Sequence, residues 1–358
     1  MKVIFAAGGT GGHVFPAIAV ADAMRELDPD VEIMFVGSTH GMEKQWVEKA
    51  GYRFEIIDVR FIKGTSAAEK LKALFMLPKC ARQCKKLLKA EKPDLVIGSG
   101  GYVSGPMVGM ASMSHIPTAI MEQNAIPGLT NRILSRFVRK IFVSFDVPYP
   151  FSKEKIIVYG NPVRQVAKKG DTVRERREGK LNILVFGGSQ GAAALNAGVP
   201  KALKALDPAL ADRLSVWHQA GRGKVEDTVA AYDDCPCEHE ISEFIDDMGS
   251  AYAWADLLIC RAGATSLAEI KVAGKASILV PFPYAAHNHQ EKNADAMVSC
   301  GASWKILNSE LESDKLSKLL AECIENPDMI REKSEAALRE AQPNAARDVA
   351  QYCLDGKV

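Results

Sequence analysis

The stretch GGTGGH, residues 8–13, decides the local fold of the N-terminal half of this chain. A short apolar run, residues 3–7, precedes it, and a helical pattern that begins near Pro16 follows. A strand, a glycine-rich turn and a helix start form an anion site, because backbone N–H groups and the helix dipole point into it. His13 adds a titratable group there. The alternative is a tight turn without a ligand, although four glycines exceed what such a turn needs.

The same pattern recurs 179 residues later, where the apolar run 181–186 leads into GGSQG at 187–191 and a helix predicted from about Ala192. Internal repetition of this kind, with strands and helices alternating in both halves, predicts an α/β protein of two doubly wound parallel sheets. A cleft between two such domains is the expected ligand site.

The predicted domains follow from this repeat and from a charged stretch, residues 168–180, that is typical of a linker. The N-terminal domain is predicted at residues 1–160 and the C-terminal domain at 161–340, with a last helix in 341–358 packing back on the first domain. The apolar runs that predict strands are 2–7, 31–36, 54–59, 94–98, 117–121, 140–145 (the last of its half), 181–186, 214–219, 256–260 and 277–280. Residues 310–353 are predicted to be helical.

Composition indicates an ordinary soluble chain, with 358 residues, 47% apolar and 25% charged. No apolar run approaches the roughly 18 residues that span a bilayer, and the N-terminus is too short for a signal peptide, so we expect a cytosolic protein. The eight cysteines lack the spacing of a zinc site and are expected to be reduced thiols, and no metal site is predicted.

Charge is distributed unevenly, although the net charge is only +1. Residues 1–160 carry a net +6 and the remainder −5, and residues 60–92 hold ten Lys or Arg against two Glu. Basic and apolar side chains alternate in that segment, which is typical of a surface that lies on an anionic membrane. A core-facing helix with a solvated face remains the alternative. The residues concerned are Lys63, Lys70, Leu71, Lys72, Leu74, Phe75, Leu77, Lys79 and Arg82.

The glycine loops do not match the common nucleotide motifs. A dinucleotide fingerprint counted from Gly9 would need glycine at Val14, and no acidic residue follows the second strand at Gly37 and Ser38 to hold a ribose. No Gly-Lys-Ser/Thr follows either loop, and the D-x-D sequence at residues 28–30 is predicted to be a turn. The phosphate therefore belongs to a mononucleotide that is bound in another way.

Six motifs then converge on one family. They occur in a single order at residues 8–16 (GGTGGHVFP), 100–106 (GGYVSGP), 122–124 (EQN), 160–164 (GNPVR), 187–191 (GGSQG) and 261–269 (RAGATSLAE). Over residues 1 to at least 294 the chain resembles the MurG family, the bacterial peptidoglycan glycosyltransferases of family 28.

The resemblance implies the GT-B fold, with two Rossmann-like domains and a deep cleft. It implies inverting transfer of GlcNAc from UDP-GlcNAc to the C4 hydroxyl of MurNAc in undecaprenyl-pyrophosphoryl-MurNAc-pentapeptide (lipid I), giving lipid II and UDP without a cofactor. The donor would bind the C-terminal half and the lipid-linked acceptor the N-terminal half. The implied location is the cytoplasmic face of the plasma membrane, with an anionic surface and cell-wall or division proteins as partners and no nucleic acid.

Inverting transfer needs a base for the attacking hydroxyl and stabilisation of the leaving diphosphate. His13 is the candidate base because an unperturbed imidazole has a pKa near 6.5. Its alternative role is a hydrogen bond to a donor phosphate or a neighbouring loop. Glu122 is the reserve candidate, with bracing of its own loop as the alternative.

Helix N-termini can stabilise the leaving UDP without a metal ion. The resemblance assigns Ser189, Thr265 and Ser266 to this role, Glu269 to the ribose hydroxyls and the backbone of Ile245 to uracil. A carboxylate such as Glu269 can accept two hydrogen bonds, or it could merely favour the dipole of a helix start. The implied donor-binding residues are Thr10, Gly11, Gly12, Asn124, Arg164, Ser189, Ile245, Ala264, Thr265, Ser266, Leu267, Ala268, Glu269 and Gln290.

Some of these assignments have alternatives. Arg164 could form an interdomain ion pair, and His287 or His289 could replace Gln290, since this segment departs from the family pattern. The acceptor's pyrophosphate is expected at the loop that contains Gly101, Tyr102 and Ser104.

Two other functions remain open from the sequence. A UDP-GlcNAc 2-epimerase of the same fold would need neither a basic, apolar patch nor an acceptor loop. A non-catalytic subunit that recruits partners to a membrane could dispense with a complete donor domain.

Overall fold

The computed structural model describes residues 1–9, 11–38, 43–59, 67–163, 179–188, 190–285 and 288–358, and the side chains of all of these except 67–77. The described chain forms two compact units. The N-terminal unit comprises Met1–Arg164 and Pro343–Val358, and the C-terminal unit comprises Gln165–Gln342.

The N-terminal unit is built on a seven-stranded sheet in which every paired strand is parallel. Its strands are β1 (Lys2–Ala6), β2 (Glu32–Gly37), β3 (Arg53–Ile56), β4 (Leu95–Gly98), β5 (Thr118–Glu122), β6 (Lys140–Val143) and β7 (Ile156–Val158). Its helices are α1 (Gly11–Leu27), α2 (Glu43–Lys49), α3 (Ala67–Glu91), α4 (Gly101–Met113), α5 (Leu129–Leu134) and, from the far end of the chain, α14 (Ala345–Leu354).

The strand order of this sheet is β3-β2-β1-β4-β5-β6-β7. One apolar layer packs α1, α2 and α14 against the sheet, and a second layer packs α3, α4 and α5. Strands β1 and β4 are buried on both faces, which is why they are apolar without alternation. The doubly wound architecture predicted for this half is confirmed.

The C-terminal unit contains a six-stranded parallel sheet in the order β10-β9-β8-β11-β12-β13. Its strands are β8 (Leu181–Phe186), β9 (Leu214–Gln219), β10 (Glu238–Ser242), β11 (Leu257–Cys260), β12 (Ala276–Leu279) and β13 (Ser303–Lys305). Its helices are α6 (Ala193–Lys204), α7 (Pro208–Ala211), α8 (Val225–Tyr232), α9 (Met248–Trp254), α10 (Ala264–Ala273), α11 (His289–Ser299), α12 (Lys315–Glu325) and α13 (Asp328–Arg339). The second doubly wound sheet is thereby also confirmed.

Helix α14 completes the core of the N-terminal unit although it follows the C-terminal unit in the chain. Val349, Ala350 and Cys353 are buried in the same apolar layer as α1. Helix α14 is therefore part of the N-terminal unit by packing, and its sequence separation from α1 is the largest of any helix pair in that layer.

Several predicted boundaries are wrong. Helix α1 begins at Gly11, ahead of Pro16, although proline usually occupies the first turn of a helix. Val14, which precedes Pro16, packs in the core and extends the helix toward its N-terminus. Residues 140–145 are not the last strand of their half, since β7 pairs with β6 beyond them.

The stretch 310–353 is not one helical run, because it forms three helices interrupted at Pro327 and at residues 340–344. The predicted turn at residues 28–30 is present, and the Asp30 N–H donates to Asp28 Oδ1 at 3.1 Å. Each of the eight cysteines is a free thiol. Within the part of the chain described, no helix is both long and apolar enough to cross a bilayer.

Candidate functional site

In the N-terminal unit, the loops that follow β1, β4 and β5 lie side by side at the carboxyl edge of the sheet, where parallel α/β sheets bind ligands. The first two loops are in direct contact. Gly101 has φ +78°, and a Cβ atom on it would overlap the carbonyl of Gly8. Only glycine permits this approach, so the glycine-rich composition of both loops serves their mutual packing.

His13 lies in the first turn of α1 and contacts both neighbouring loops. Its Nδ1 is 3.2 Å from Gln123 Oε1, and its carbonyl accepts a 2.6 Å hydrogen bond from Ser99 Oγ. Gln123 in turn donates to Ser99. Three segments of the chain thus meet at His13, and neither Gln123 nor Ser99 was predicted as a site residue.

Glu122 ends β5 and is buried. Oε1 accepts from the backbone and side-chain amides of Asn124 at 3.0 and 3.4 Å, and Oε2 accepts from Gly128 N at 3.1 Å and Asn131 Nδ2 at 2.9 Å. Burial raises the pKa of this carboxyl, and the four donors partly offset that rise. Because its oxygens hold the loop, Glu122 is a weaker candidate for the base than His13.

Asn124 lies in the same loop as Gln123 and is half-buried. Its carbonyl accepts a 3.0 Å hydrogen bond from Tyr149 Oη, while its N–H groups donate to Glu122. The structure therefore fixes the backbone at Asn124, which is one of the predicted donor-binding residues.

The predicted acceptor loop begins α4. Gly101 and Tyr102 are its first two residues, so their N–H groups are among those that a helix leaves without internal partners. Ser104 differs, because its hydroxyl is fully buried and bonds the backbone of Ala6 and Gly100 at 2.7–3.0 Å. The Ser104 side chain therefore ties the loop to β1 and does not face a ligand.

In the C-terminal unit, α10 starts at the carboxyl end of β11 with Gly263 as its N-cap and no capping side chain. Thr265 and Ser266 do not cap this helix, since they are its second and third residues. Thr265 Oγ1 is buried and has no hydrogen-bond partner among the described residues. An uncapped N-terminus with a hydroxyl beside it is suited to an anion.

Glu269 lies in the second turn of α10, one turn beyond where a residue interacts most with the helix dipole. Its Oε2 accepts a 2.9 Å hydrogen bond from the hydroxyl of Tyr252, a buried residue of α9. Tyr252 was not predicted, because a tyrosine inside an apolar stretch looks like an ordinary core residue. Of the neighbouring predicted residues, Ala264 and Leu267 are buried and Ala268 is half-buried.

Two further predicted residues of this unit lie outside α10, Ile245 in a loop and Gln290 in the first turn of α11. Ile245 is buried between β10 and α9. Gln290, near the start of α11, accepts a 3.0 Å hydrogen bond from the N–H of Phe282. Arg261 holds the same loop by donating to the carbonyls of Val280 and Pro281 at 3.0 and 3.1 Å. The loop that precedes α11 is thus held from both sides.

Gly11 and Gly12 form the start of α1 together with His13. Some predicted site residues lie outside the described part of the chain, namely Thr10, Arg164, Ser189, His287 and Lys63. The side chains of six membrane-patch residues in α3 also lie outside it, namely those of Lys70, Leu71, Lys72, Leu74, Phe75 and Leu77.

Lys79 and Arg82, the remaining residues of the predicted patch, are exposed, and Lys79 Nζ is 2.8 Å from Asp58 Oδ2. Helices α4 and α5, which pack on the same side of the sheet as α3, carry an exposed apolar cluster that was not predicted. We call this the α4–α5 patch; its apolar residues, with their exposed fractions, are Met113 (76%), Leu129 (63%), Ile133 (54%) and Phe137 (62%). Ser112 Oγ donates a hydrogen bond to the Phe137 carbonyl at 3.5 Å. Arg132, Arg136 and Arg139 are close to the patch residues in sequence and are exposed.

Among the described residues, no group of three or more His, Cys, Asp or Glu side chains is arranged to hold a metal ion.

Two doubly wound parallel sheets with glycine-rich loops at their carboxyl edges are typical of the GT-B fold that glycosyltransferases adopt. The model of the glycosyltransferase family 28 N-terminal domain matches residues 3–143, and that of the C-terminal domain matches residues 182–351. The chain is 43% identical over 356 residues to a Myxococcus xanthus (strain DK1622) protein, covering 99% of this chain and 93% of that one. That relative is named UDP-N-acetylglucosamine--N-acetylmuramyl-(pentapeptide) pyrophosphoryl-undecaprenol N-acetylglucosamine transferase.

Solved structures agree with this similarity. The crystal structure of Acinetobacter baumannii MurG superposes with a TM-score of 0.80 at 34% identity and full coverage of both chains. The chain belongs to the MurG family of glycosyltransferases. A UDP-GlcNAc 2-epimerase from Neisseria meningitidis, bound to UDP-GlcNAc, has a TM-score of 0.69 at 13% identity, covering 99% of this chain and all of that one, and shares the fold alone.

Proposed function

We propose that this enzyme transfers GlcNAc from UDP-GlcNAc to the C4 hydroxyl of MurNAc in lipid I, giving lipid II and UDP with inversion at the anomeric carbon. The observation that carries the choice of substrates is the 43% identity to a transferase whose name states both of them, over 99% of this chain. The loops described above supply the groups that such a transfer needs.

His13 is the general base in this proposal. The acceptor hydroxyl oxygen forms a bond to the anomeric carbon while the bond from that carbon to the diphosphate oxygen breaks. The hydroxyl proton passes to His13, and UDP leaves with the bonding electron pair. Support comes from the position of His13 in a glycine loop at the carboxyl edge, where Glu122, the other candidate, has its oxygens occupied.

The N-terminus of α10 binds the donor diphosphate in the C-terminal unit. Negative charge grows on the diphosphate as the glycosidic bond breaks, so N–H groups aimed at it stabilise the transition state more than the bound donor. The buried hydroxyl of Thr265 lies at this helix start and supports the assignment. Glu269 binds the ribose hydroxyls, and Ile245, Asn124 and Gln290 complete the donor contacts.

The acceptor binds the N-terminal unit through the start of α4, and its lipid chain stays in the membrane. We place α3 and the α4–α5 patch against the anionic cytoplasmic face as a peripheral contact. Exposed arginines around exposed Leu, Ile and Phe side chains combine electrostatic and apolar attraction to such a surface. Contacts with other cell-wall or division proteins would use surfaces outside this patch.

The central test is transfer of radiolabelled GlcNAc to a short-chain lipid I analogue, with UDP release measured in the presence of EDTA. We expect stoichiometric lipid II and UDP, and undiminished activity in EDTA, because helix N-termini take the place of a metal. His13→Ala should lower kcat by about 10²-fold or more, in the range that general base catalysis supplies. A kcat within a factor of a few of wild type would remove His13 as the base.

An assay with UDP-GlcNAc and no acceptor distinguishes transfer from epimerisation. Epimerised sugar formed without acceptor would favour a 2-epimerase, a fold that this chain shares at 13% identity. Absence of UDP-GlcNAc binding in isothermal titration would favour a non-catalytic recruiting subunit instead.

A further inference from the structure

The orientation of the Gln123 side-chain amide is fixed by Ser99. Gln123 is 2% exposed, and its Nε2 lies 3.1 Å from both the carbonyl oxygen and the hydroxyl of Ser99. A carbonyl oxygen can only accept, and the Ser99 hydroxyl already donates its proton to the His13 carbonyl. Both contacts therefore require the NH₂ side of the amide, and Oε1 must point the other way.

That direction is toward His13, and it determines the imidazole tautomer. Gln123 Oε1 is 3.2 Å from His13 Nδ1. An amide oxygen only accepts hydrogen bonds, so Nδ1 carries the proton. A neutral imidazole has a single N–H, and its lone pair then lies on Nε2.

The ring is also held in place by the Gly100 backbone. A Cβ atom on Gly100 would lie 2.5 Å from His13 Nδ1, and Gly100 has φ +102°, a conformation that other residues rarely adopt. The imidazole therefore lies directly against the main chain on the same side as its contact with Gln123. The contacts with Gly100 and Gln123 therefore determine both the position of the imidazole ring and the nitrogen that carries its proton.

We infer that Gln123 is a positioning residue for the proton transfer, which holds His13 as the Nδ1–H tautomer so that Nε2 receives the acceptor hydroxyl proton. This inference rests on the proposed role of His13 as the base. When Nε2 is protonated, the Nδ1–H remains hydrogen-bonded to Gln123 Oε1, so the imidazolium keeps its acceptor throughout the step. Gln123 itself exchanges no proton.

In the C-terminal unit, His218 provides an internal reference, because the same reasoning gives its imidazole the opposite tautomer. Asn196 Nδ2 donates to the Ala220 carbonyl at 2.9 Å, so its Oδ1 faces His218 Nε2 at 3.1 Å. By the same reasoning His218 is the Nε2–H tautomer, with Nδ1 accepting from Tyr232 Oη at 2.9 Å. Burial lowers the pKa of His218 to about 3, so it stays neutral at any pH used for the enzyme.

The direct test is nitrogen NMR of the full-length enzyme labelled with ¹⁵N-histidine, at a pH where the imidazoles are neutral. The His13 signals are identified by their loss in His13→Ala. We expect a protonated, pyrrole-like Nδ1 at His13 and a protonated Nε2 at His218. A protonated Nε2 at His13 in the wild-type enzyme would overturn the inference.

Two substitutions distinguish the effect of the hydrogen-bond acceptor Oε1 of Gln123 from the effect of the size of this side chain. Gln123→Met keeps the length of the side chain and removes the acceptor, so His13 should shift toward the Nε2–H tautomer while His218 is unchanged. Gln123→Glu presents an acceptor oxygen in either protonation state and should retain Nδ1–H. Loss of Nδ1–H in both variants, or in neither, would contradict the role given to Oε1.

Kinetics then connects the tautomer to the reaction. Gln123→Met should lower kcat by roughly 10–100-fold and leave the KM for UDP-GlcNAc within a factor of two, and Gln123→Glu should recover most of the loss. The matched control is Gln83→Met, the same change at a glutamine whose Oε1 accepts from the Asp58 N–H at 3.0 Å, where we expect wild-type kcat.

The inference and the proposed function can fail separately. Wild-type kcat in Gln123→Met, together with an inactive His13→Ala, would overturn the positioning role alone. Wild-type kcat in His13→Ala would remove the base itself, and the proton-transfer role of Gln123 with it.

Discussion

Glu122 and Glu269 have different roles in this enzyme, although both are glutamates. Glu122 accepts four N–H hydrogen bonds, which hold residues 124–131 against the end of β5. Glu269 instead accepts a 2.9 Å hydrogen bond from Tyr252 at Oε2, which orients a half-buried carboxylate on α10. Glu122 is thus part of the loop's structure, whereas the role that we propose for Glu269 is to bind the ribose.

Removal of the Tyr252 hydroxyl should therefore weaken donor binding. In Tyr252→Phe we expect the KM for UDP-GlcNAc to rise several-fold with little change in kcat, since the carboxylate loses its orientation but the diphosphate contacts remain. Steady-state kinetics at saturating acceptor measures this. Tyr232→Phe is the matched control, because it also removes a buried hydroxyl from the C-terminal unit and should lower stability without changing KM. An unchanged KM in Tyr252→Phe would show that donor binding does not depend on the hydrogen bond from Tyr252 to Glu269.

His218 should give the C-terminal unit a pH-dependent stability. Its pKa is about 3 in the folded state because of burial, and about 6.5 in an unfolded chain. Between these values the unfolded chain binds one more proton, so the stabilisation is complete above pH 6.5 and is lost as the pH falls toward 3. The expected slope is at most about 1.4 kcal/mol per pH unit.

Denaturant unfolding between pH 5 and 6.5, followed by the fluorescence of Trp217, measures this slope. His218→Gln should lack most of it, whatever its absolute stability. His115→Asn removes an exposed imidazole and should keep the wild-type slope. Equal slopes in His218→Gln and wild type would mean that His218 is solvated in the folded state.

At the scale of elements, the central strands and the edge strand β3 were predictable, and the other three edge strands were not. Strands β1, β4, β8 and β11 are continuous apolar runs, because helices cover both faces of a parallel sheet. The edge strand β10 reads Glu-His-Glu-Ile-Ser and is partly exposed, so its sequence lacks any such signal. Strands β7 and β13 have three residues each, too few for a pattern.

The residues of the candidate site also divide into those that the sequence could predict and those that it could not. Glycine loops and titratable residues such as His13 could be found from the sequence, since their chemistry is visible in the residue type. Gln123 and Tyr252 could not, because neither carries charge and their roles depend on partners brought close by folding. Gln123 lies 110 residues from His13 in sequence.

The α4–α5 patch gives an element-scale prediction. The double substitution Ile133→Ser with Phe137→Ser should lower binding to vesicles that contain anionic lipid by at least about tenfold, since each large apolar side chain contributes roughly 1.5–3 kcal/mol when buried. Co-sedimentation at several salt concentrations measures it, and binding of the wild type should weaken with salt.

Transfer to a short-chain soluble acceptor should be unchanged in the same double variant, because both side chains are exposed. Val229→Ser, an exposed valine on α8 of the other unit, is the control for loss of apolar surface. Binding that is indifferent to the double substitution would place the membrane contact elsewhere.

At the scale of the whole molecule, the N-terminal unit is discontinuous in sequence, since Pro343–Val358 completes it. Val349→Asp would bury a charge in the layer shared by α14 and α1 and should destabilise that unit by at least ~2 kcal/mol. Hydrogen exchange followed by mass spectrometry should show faster exchange in β1 and α1 and no change in β8 and β9. Gln351→Asp, on the exposed side of the same helix, is the control. Uniform destabilisation of both units would contradict the assignment of α14 to one of them.

The position of α14 in the chain also sets the order in which the enzyme matures on the ribosome. Chains usually complete their domains from the N-terminus onward at ~5–20 residues per second. Here the intervening segment Gln165–Gln342 takes roughly 10–35 s to synthesise before α14 exists. Throughout that interval the apolar surface of α1 that α14 later covers lacks this partner. The unit that is synthesised first is therefore the last to close its core.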